Sequence, residues 1–305
     1  MLRRPINVIG AATDPGGVNV IKVLLEIFDD YTTRPPRFFD LNQKHEWLEL
    51  SDLLNDYDGL LLLGTSGEME QESALLERAS NNKSVFSVIV LDEIYNVKSR
   101  LMNAGDSLNH SDLILYVEGT NSNDKIKAIN GYDMPHPLLT KNRGQFVESI
   151  AYEYDPLGPI LIVDEFKSPF YLFDGDNSKH GLLSDLLGPH FGADVPIKIR
   201  CHPKHFVTES YEQGPVSLVV GYSSFFLAIA AAKGLPVLSI AHTQVVSFAL
   251  SNMELELISL ADLSKPVSEL VALSKSKSTC YIEQNCAPTI EYLLSHVESS
   301  KAKSS

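Results

Sequence analysis

Cysteine is scarce in this chain of 305 residues, which has three cysteines, at positions 201, 280 and 286. Their spacing matches no zinc-binding pattern, so a cysteine-based metal site is excluded. An odd number of cysteines also argues against a framework of disulfides. We therefore expect reduced thiols and an intracellular protein.

Long apolar runs are also missing, since no run approaches the roughly 18 residues that a membrane-spanning helix needs. Residues Arg3 and Arg4 precede a predicted strand rather than a secretory signal core. These absences predict a cytoplasmic protein. No amphipathic segment adjoins Arg3 and Arg4, so the sequence gives only weak support for peripheral contact with a membrane surface.

Positive charge is in the minority, with 25 lysines and arginines against 39 aspartates and glutamates and a net charge of −14. Nucleic-acid binding normally needs a clustered basic surface, so nucleic acid is excluded as a partner. Any anion site must therefore rely on a few local cations or on backbone N–H groups.

Short apolar segments alternate with helical patterns along most of the chain, which is typical of parallel sheets covered by helices. The predicted strands are residues 6–11, 37–41, 58–63, 84–91, 113–117, 160–163, 197–200, 218–220 and 236–240. The predicted helices are residues 18–28, 68–80, 182–187, 225–233 and 267–296, followed by a frayed tail at 299–305. The fold class is therefore α/β.

A polar segment with several glycines and prolines interrupts this alternation at residues 141–159. We place a domain boundary there, which predicts two Rossmann-like doubly wound domains at 1–150 and 151–305. Ligands of such folds bind beyond the carboxyl ends of the strands. Two domains of this kind are expected to face each other across a cleft.

The most informative segment lies in the second predicted domain. The strand at 197–200 leads into a cationic group, and the strand at 218–220 leads into a serine pair at the start of a helix. Unpaired N–H groups and the helix dipole favour an anion there. The predicted phosphate-binding residues are Arg200, His202, Lys204, Ser223 and Ser224. Ser223 and Ser224 also suit an ordinary helix cap, and Pro203 after His202 suits a strand terminator.

Polar residues follow the strands of the first predicted domain as well. The acceptor or cleft candidates are Gly16, Gly17, Asn19, Thr65, Ser66 and Asn96. Asp14 and Asp92 are the candidate catalytic bases, because each follows a strand that ends at the cleft. The glycine pair beside Asp14 would let a substrate approach the backbone, although it also suits a plain tight turn. Asp92 and Asn96 equally suit a hydrogen-bonded face between the domains.

These motifs resemble the GT-B superfamily of sugar-nucleotide enzymes. Arg200-x-His202-Pro203 with Gly221-Tyr222-Ser223-Ser224 looks like the His-Pro and Ser-Ser motifs of bacterial sialyl-, Kdo- and polyol-phosphate transferases. In those enzymes the histidine and the paired serines hold the nucleotide's phosphate. The segment from Leu91 to Arg100 is similar to a stretch of glycosyltransferase-like and epimerase-like proteins of surface polysaccharide loci.

The resemblance implies a glycosyltransferase that uses a nucleotide-activated sugar in surface polysaccharide or glycoconjugate biosynthesis. Its acceptor would be a saccharide or a lipid-linked saccharide, and no metal or other cofactor is implied. The acidic motif that sialyltransferases carry in their first domain has no match in residues 1–150. That departure leaves open a non-hydrolysing sugar-nucleotide 2-epimerase and a non-catalytic nucleotide-sugar-binding or scaffold subunit.

Overall fold

The computed structural model of the protein divides the chain into two compact units. The first unit contains Met1–Thr140 and Asn285–Ser305, and the second contains Lys141–Gln284. The described residues are 4–66, 68–91, 105–117, 131–135, 137, 151–163, 187–192, 194–200, 214–221, 225–240, 256–258, 260–275 and 286–304. The sequence places residues 285–305 with the second domain, whereas the structure packs them on the first.

The first unit is built on a parallel sheet of six strands. These strands are β1 Asn7–Ala12, β2 Arg37–Asp40, β3 Gly59–Gly64, β4 Val85–Leu91, β5 Leu113–Val117 and β6 Gly131–Met134. Their order across the sheet is β2-β1-β3-β4-β5-β6. Every predicted strand of this unit is present within a residue or so of its expected bounds, and β6 was not predicted.

Helices lie between or after the strands. They are α1 Pro15–Asp29, α2 Lys44–Leu53, α3 Glu70–Ser80, α4 Phe225–Ala232, α5 Val267–Lys275 and α6 Ala287–Ser304. Short 3-10 helices occur at Gly105–His110, Gly188–His190 and Leu260–Ser264. Helix α2 was not predicted, and the helix predicted at 182–187 lies outside the described residues apart from Leu187. Within the described ranges, none of the helices combines the length and the apolar character that a membrane crossing requires.

Burial on both faces explains why the central strands of the first unit are so apolar. All six residues of β3 are buried, from Gly59 to Gly64. When helices cover both faces of a parallel sheet, the sequence of each strand is a continuous apolar run rather than an alternation of apolar and polar residues. Leu61 and Leu63 lie in a core cluster with Leu50 of α2 and Leu75 of α3.

Helix α6 completes the first unit. Tyr292 of α6 stacks on Tyr132 of β6 with ring centroids 4.2 Å apart. Nearer its end, Glu298 forms a 3.0 Å ion pair with Arg4. The helix continues to Ser304 in the structure, and the fraying expected from residue 299 stays a prediction. The tail contains alanine and lysine, which have high helix propensity and extend a helix that is already packed.

The second unit has a parallel sheet of five strands in the order β13-β12-β11-β8-β9. These are β8 Ile160–Val163, β9 Ile197–Arg200, β11 Leu218–Gly221, β12 Val237–Ile240 and β13 Glu256–Ile258. Strands β7 Tyr152–Tyr154 and β10 Gly214–Val216 pair separately. Strands β7, β10 and β13 were not predicted, and all three have three residues, too few for a pattern to show.

Candidate functional site

The first unit has a topological switch point between β1 and β3. The chain leaves β1 for β2 on one side and then returns to β3 on the other side. Ligands of doubly wound folds bind outside the carboxyl ends of the strands at such a point. Thr13 and Asp14 follow β1 there, and Thr65 and Ser66 follow β3.

A buried carboxyl group joins these two strand ends. Glu72 of α3 is 1% exposed. Its Oε1 accepts a short hydrogen bond from the Thr13 hydroxyl, and its Oε2 accepts a 3.0 Å bond from the Ser66 hydroxyl. Both carboxyl oxygens are thus used to link the segment after β1 to the segment after β3. Glu72 is not among the site residues predicted from the sequence.

The same network reaches the end of β2. The side-chain amide of Asn42 donates to the Thr13 carbonyl oxygen at 2.7 Å and to the Asp40 carboxylate at 3.0 Å. Hydrogen bonds of Asn42, Thr13, Glu72 and Ser66 therefore run along the carboxyl edge of β2, β1 and β3. Connected networks of this kind hold partly buried polar groups in one arrangement.

Burial raises the pKa of Glu72 above its ordinary value of 4.5. The hydrogen bonds from Thr13 and Ser66 oppose this shift, and the nearby Asp14 carboxylate adds to it. Raised carboxyl pKa values in a cleft or at a strand edge are typical of functional sites.

Asp14 lies at the N-cap of α1 with φ −76° and ψ 143°. Its side chain makes no capping hydrogen bond, while its carbonyl accepts from the Val18 N–H at 2.8 Å. Asp14 is half-buried, and Asn19 on the next turn is exposed.

Gly16 and Gly17 lie in the first turn of α1, so the loop predicted for them is wrong. Pro15 explains the early start of the helix, because proline is favoured at the first helical position. A Cβ on Gly17 would lie 3.3 Å from the Thr65 carbonyl oxygen and 3.5 Å from the Gly64 Cα. Gly17 therefore brings α1 against the end of β3, while Gly16 is exposed.

The turn between β3 and α3 has an unusual backbone at Met69, whose φ is 57°. Few residues other than glycine adopt this left-handed conformation. Its N–H donates to the Ser66 hydroxyl at 2.9 Å, and its sulfur accepts from the Ser66 N–H at 3.4 Å. Ser66 thus closes the turn on one side and contacts Glu72 on the other.

In the second unit, the carboxyl ends of three strands are in register. Arg200 of β9 pairs with Val163 of β8, and Val163 pairs with Gly221 of β11. The Arg200 guanidinium lies 4.1 Å from the ring centroid of Phe226 in the first turn of α4. Phe226 in turn makes an edge contact with the buried ring of Tyr152, with centroids 6.0 Å apart.

The contact with Phe226 holds the Arg200 guanidinium at this edge of the sheet. Attraction of the guanidinium to the aromatic face favours one placement of this planar cation.

Several predicted site residues lie outside the described residues, and their roles stay predictions. They are Asp92, Asn96, His202, Lys204, Ser223 and Ser224. Of the rest, the structure brings Asp14, Gly17, Thr65 and Ser66 to one switch point, and it puts Arg200 at the carboxyl edge of the other sheet. No group of three or more potential metal ligands occurs within the described ranges.

Comparison with known proteins gives a match in structure but not in sequence. No protein-family model matches the chain, and no curated protein matches it. UDP-N-acetylglucosamine 2-epimerase from Rickettsia bellii matches with a TM-score of 0.54 and 12% identity, over 97% of this chain and 98% of that one. The wall teichoic acid polymerase TagF matches with a TM-score of 0.51 and 8% identity, over 99% and 91%.

The fold is GT-B-like. Another form of TagF gives the same TM-score of 0.51 at 10% identity, covering 99% of this chain and 90% of that one. The resemblance expected from the sequence is therefore confirmed at the level of the fold. At identities this low, the likeness speaks to architecture and not to activity.

Proposed function

We propose that this protein is a glycosyltransferase that uses a nucleotide-activated sugar in surface polysaccharide or glycoconjugate assembly. The observation that supports this most is Arg200, held over Phe226 at the carboxyl edge of the second sheet. In a doubly wound domain this edge is where a nucleotide's phosphate binds. His202, Lys204, Ser223 and Ser224 follow the same strand ends in the sequence and complete the proposed phosphate site.

Sugar transfer breaks the bond between the anomeric carbon and the phosphate oxygen, so negative charge grows on the leaving nucleotide. Fixed donors that face this charge lower the barrier, and removing one such donor typically costs 10² to 10³ in rate. In this proposal Arg200 supplies a permanent positive charge for that purpose. The site uses no metal ion.

The acceptor hydroxyl must lose a proton as it attacks the anomeric carbon. Asp14 is the proposed base, because it follows β1 at the switch point of the first unit. General base catalysis of this kind contributes about 10² to 10⁴ in rate. Asp92 stays the second candidate for the base, and Gly16, Gly17, Asn19, Thr65, Ser66 and Asn96 are the proposed acceptor side.

A sugar-nucleotide 2-epimerase is the second candidate. Its support is the shared fold, since UDP-N-acetylglucosamine 2-epimerase from Rickettsia bellii is similar over 97% of this chain. An epimerase would need a base at C2 of the sugar, and the carboxyl group of Asp14 is the candidate for it. A binding or scaffold subunit without catalysis is the third, favoured by the missing acidic motif of the first domain.

One experiment separates the three functions. The purified protein is incubated with UDP-, CDP-, CMP- and GDP-sugars, with and without saccharide acceptors, and the products are identified by mass spectrometry and NMR. Acceptor-dependent release of nucleotide supports a transferase, while inversion at C2 without acceptor identifies an epimerase. Tight binding with no turnover identifies a scaffold. No binding to any nucleotide sugar would overturn the proposal.

A matched control is available on the same strand. Arg200→Ala removes the proposed phosphate contact, whereas Lys198→Gln removes one positive charge from the same face, two residues further from the edge. Successive residues on one strand face are about 6.6 Å apart, since each residue rises by about 3.3 Å. Only Arg200→Ala is expected to weaken nucleotide binding.

A further inference from the structure

We propose that Glu72 is a positioning residue for the acceptor side of the site, acting through the hydroxyl groups of Thr13 and Ser66. This inference rests on the proposed function, because it assigns Glu72 the task of holding the catalytic base in place. Glu72 itself is 1% exposed and therefore does not contact a substrate.

Hydrogen bonds satisfy both oxygens of the buried carboxyl group. A buried polar group is unfavourable unless it is hydrogen-bonded, and Glu72 has one hydroxyl donor on each oxygen. Among the described residues, no lysine or arginine forms an ion pair with Glu72. An apolar residue at this position would leave both hydroxyls without their partner.

The residues that Glu72 holds stand directly beside the proposed base. Thr13 immediately precedes Asp14, and the Asp14 charge acts on Glu72. On the other side, Ser66 accepts a hydrogen bond from the Met69 N–H and so fixes the turn that has a positive φ. Glu72 therefore couples the position of Asp14 to the turn after β3.

A consequence for the reaction follows from this coupling. If Glu72 cannot hold Thr13, Asp14 moves relative to the acceptor hydroxyl, and a displacement of about 1 Å costs about 100-fold in rate. Nucleotide binding to the second unit does not depend on these contacts. The expected signature is therefore a loss in kcat with little change in the affinity for the nucleotide.

The test compares four variants. Glu72→Gln replaces one of the two acceptor oxygens with an NH2 donor, and Thr13→Val removes the hydroxyl that Glu72 binds, whereas Thr13→Ser keeps the hydroxyl. Glu70→Gln is the control, because Glu70 is exposed and lies on the first turn of the same helix. We expect kcat to fall by about 100-fold in Glu72→Gln and Thr13→Val, and to stay within about twofold in Thr13→Ser and Glu70→Gln. Nucleotide Kd should be unchanged in all four.

A second readout works without turnover and separates this inference from the proposed function. Hydrogen exchange is measured at the Met69 and Ser73 amides, whose hydrogen bonds belong to the turn that Ser66 closes. Faster exchange in Glu72→Gln than in Glu70→Gln supports the positioning role. If exchange is the same in both, or if kcat of an active enzyme is unaffected by Glu72→Gln, the inference is overturned. If the parent protein has no turnover, the proposed function fails instead.

Discussion

The Ser66 hydroxyl donates a 3.0 Å hydrogen bond to the carboxyl group of Glu72. The two residues lie on different elements, one after β3 and the other on α3. Glu72 also accepts from Thr13 after β1, so one buried side chain joins the two strand ends of the switch point. The candidate site of the first unit is therefore a connected network rather than a set of independent polar residues.

The first prediction concerns the pH dependence of stability. Burial raises the pKa of Glu72 above 4.5, so the folded state binds this proton more tightly than the unfolded state. Between pH 4.5 and the folded pKa, the folded state still holds the Glu72 proton while the unfolded state has lost it. The free energy of unfolding therefore falls as the pH rises through this range. Glu72→Gln lacks this titration and should lose less stability with rising pH.

The measurement for Glu72 is a series of urea unfolding curves at roughly pH 4 to pH 8, for the parent protein and for Glu72→Gln. Burial also raises the pKa of Asp112, but Asp112 is present in both proteins and cancels in the difference. Asp14 is likewise present in both. An identical pH dependence of the two midpoints would contradict the buried-carboxyl account.

The second prediction uses the two adjacent glycines of α1. Alanine exceeds glycine in helix propensity by about 1 kcal/mol, so Gly16→Ala at an exposed position should stabilise the protein or leave it unchanged. Gly17→Ala would place its Cβ 3.3 Å from the backbone oxygen of Thr65 and should therefore destabilise it relative to Gly16→Ala. Urea midpoints compare the two variants. Equal stabilisation by both would show that α1 does not pack closely on β3.

The third prediction concerns the base. Asn is as good an N-cap residue as Asp, so Asp14→Asn should preserve the start of α1 and the stability of the unit. Because the amide cannot accept the acceptor's proton, kcat should fall by about 10² to 10⁴ while nucleotide Kd stays the same. Rapid-quench turnover and equilibrium binding measure these separately. An equal loss of binding and turnover would remove Asp14 from the role of base.

The buried central strands could be predicted from the sequence, because buried parallel strands are nearly continuous apolar runs, whereas β6, β7, β10 and β13 were missed. Residues 59–63 and 218–220 are examples of such runs. Helix α2 was missed because its pattern is mostly polar and only Leu50 and Ser51 are buried. The position of α6 could not be predicted from its own sequence, because the residues that it contacts, Arg4 and Tyr132, lie far from it along the chain.

The candidate site was predictable in part for the same reason. Asp14, Thr65 and Ser66 follow strands directly, so the topology alone brings them to one edge. Glu72 lies in the first turn of α3 together with Glu70, and Glu68 precedes the helix, so all three acidic residues suit the helix dipole. The acidic residues alone therefore do not show that Glu72 is the buried one. The helical spacing gives a partial indication, since only Glu72 lies on the same face as the buried Leu75, Leu76 and Ala79.

The fourth prediction tests the phosphate residues that the sequence alone supplies. The double variant His202→Ala, Ser223→Ala should remove nucleotide binding, because both residues follow strand ends at the edge where Arg200 lies. His190→Ala is the control, since His190 is exposed in the same unit. Isothermal titration with the preferred nucleotide compares them. Retained affinity in the double variant would remove the His-Pro and Ser-Ser motifs from the proposed phosphate site.

The central claim is that a nucleotide binds at the carboxyl edge of the second sheet, beside Arg200. A thermal-shift screen with UDP, CMP, CDP and GDP tests it directly, on the parent protein, Arg200→Ala and Lys198→Gln. A ligand at 100 times its Kd stabilises by about 2.7 kcal/mol, which is readily measured. The account predicts a shift with one nucleotide that Arg200→Ala loses and Lys198→Gln keeps. A shift that survives Arg200→Ala unchanged, or no shift with any of the four, would contradict it.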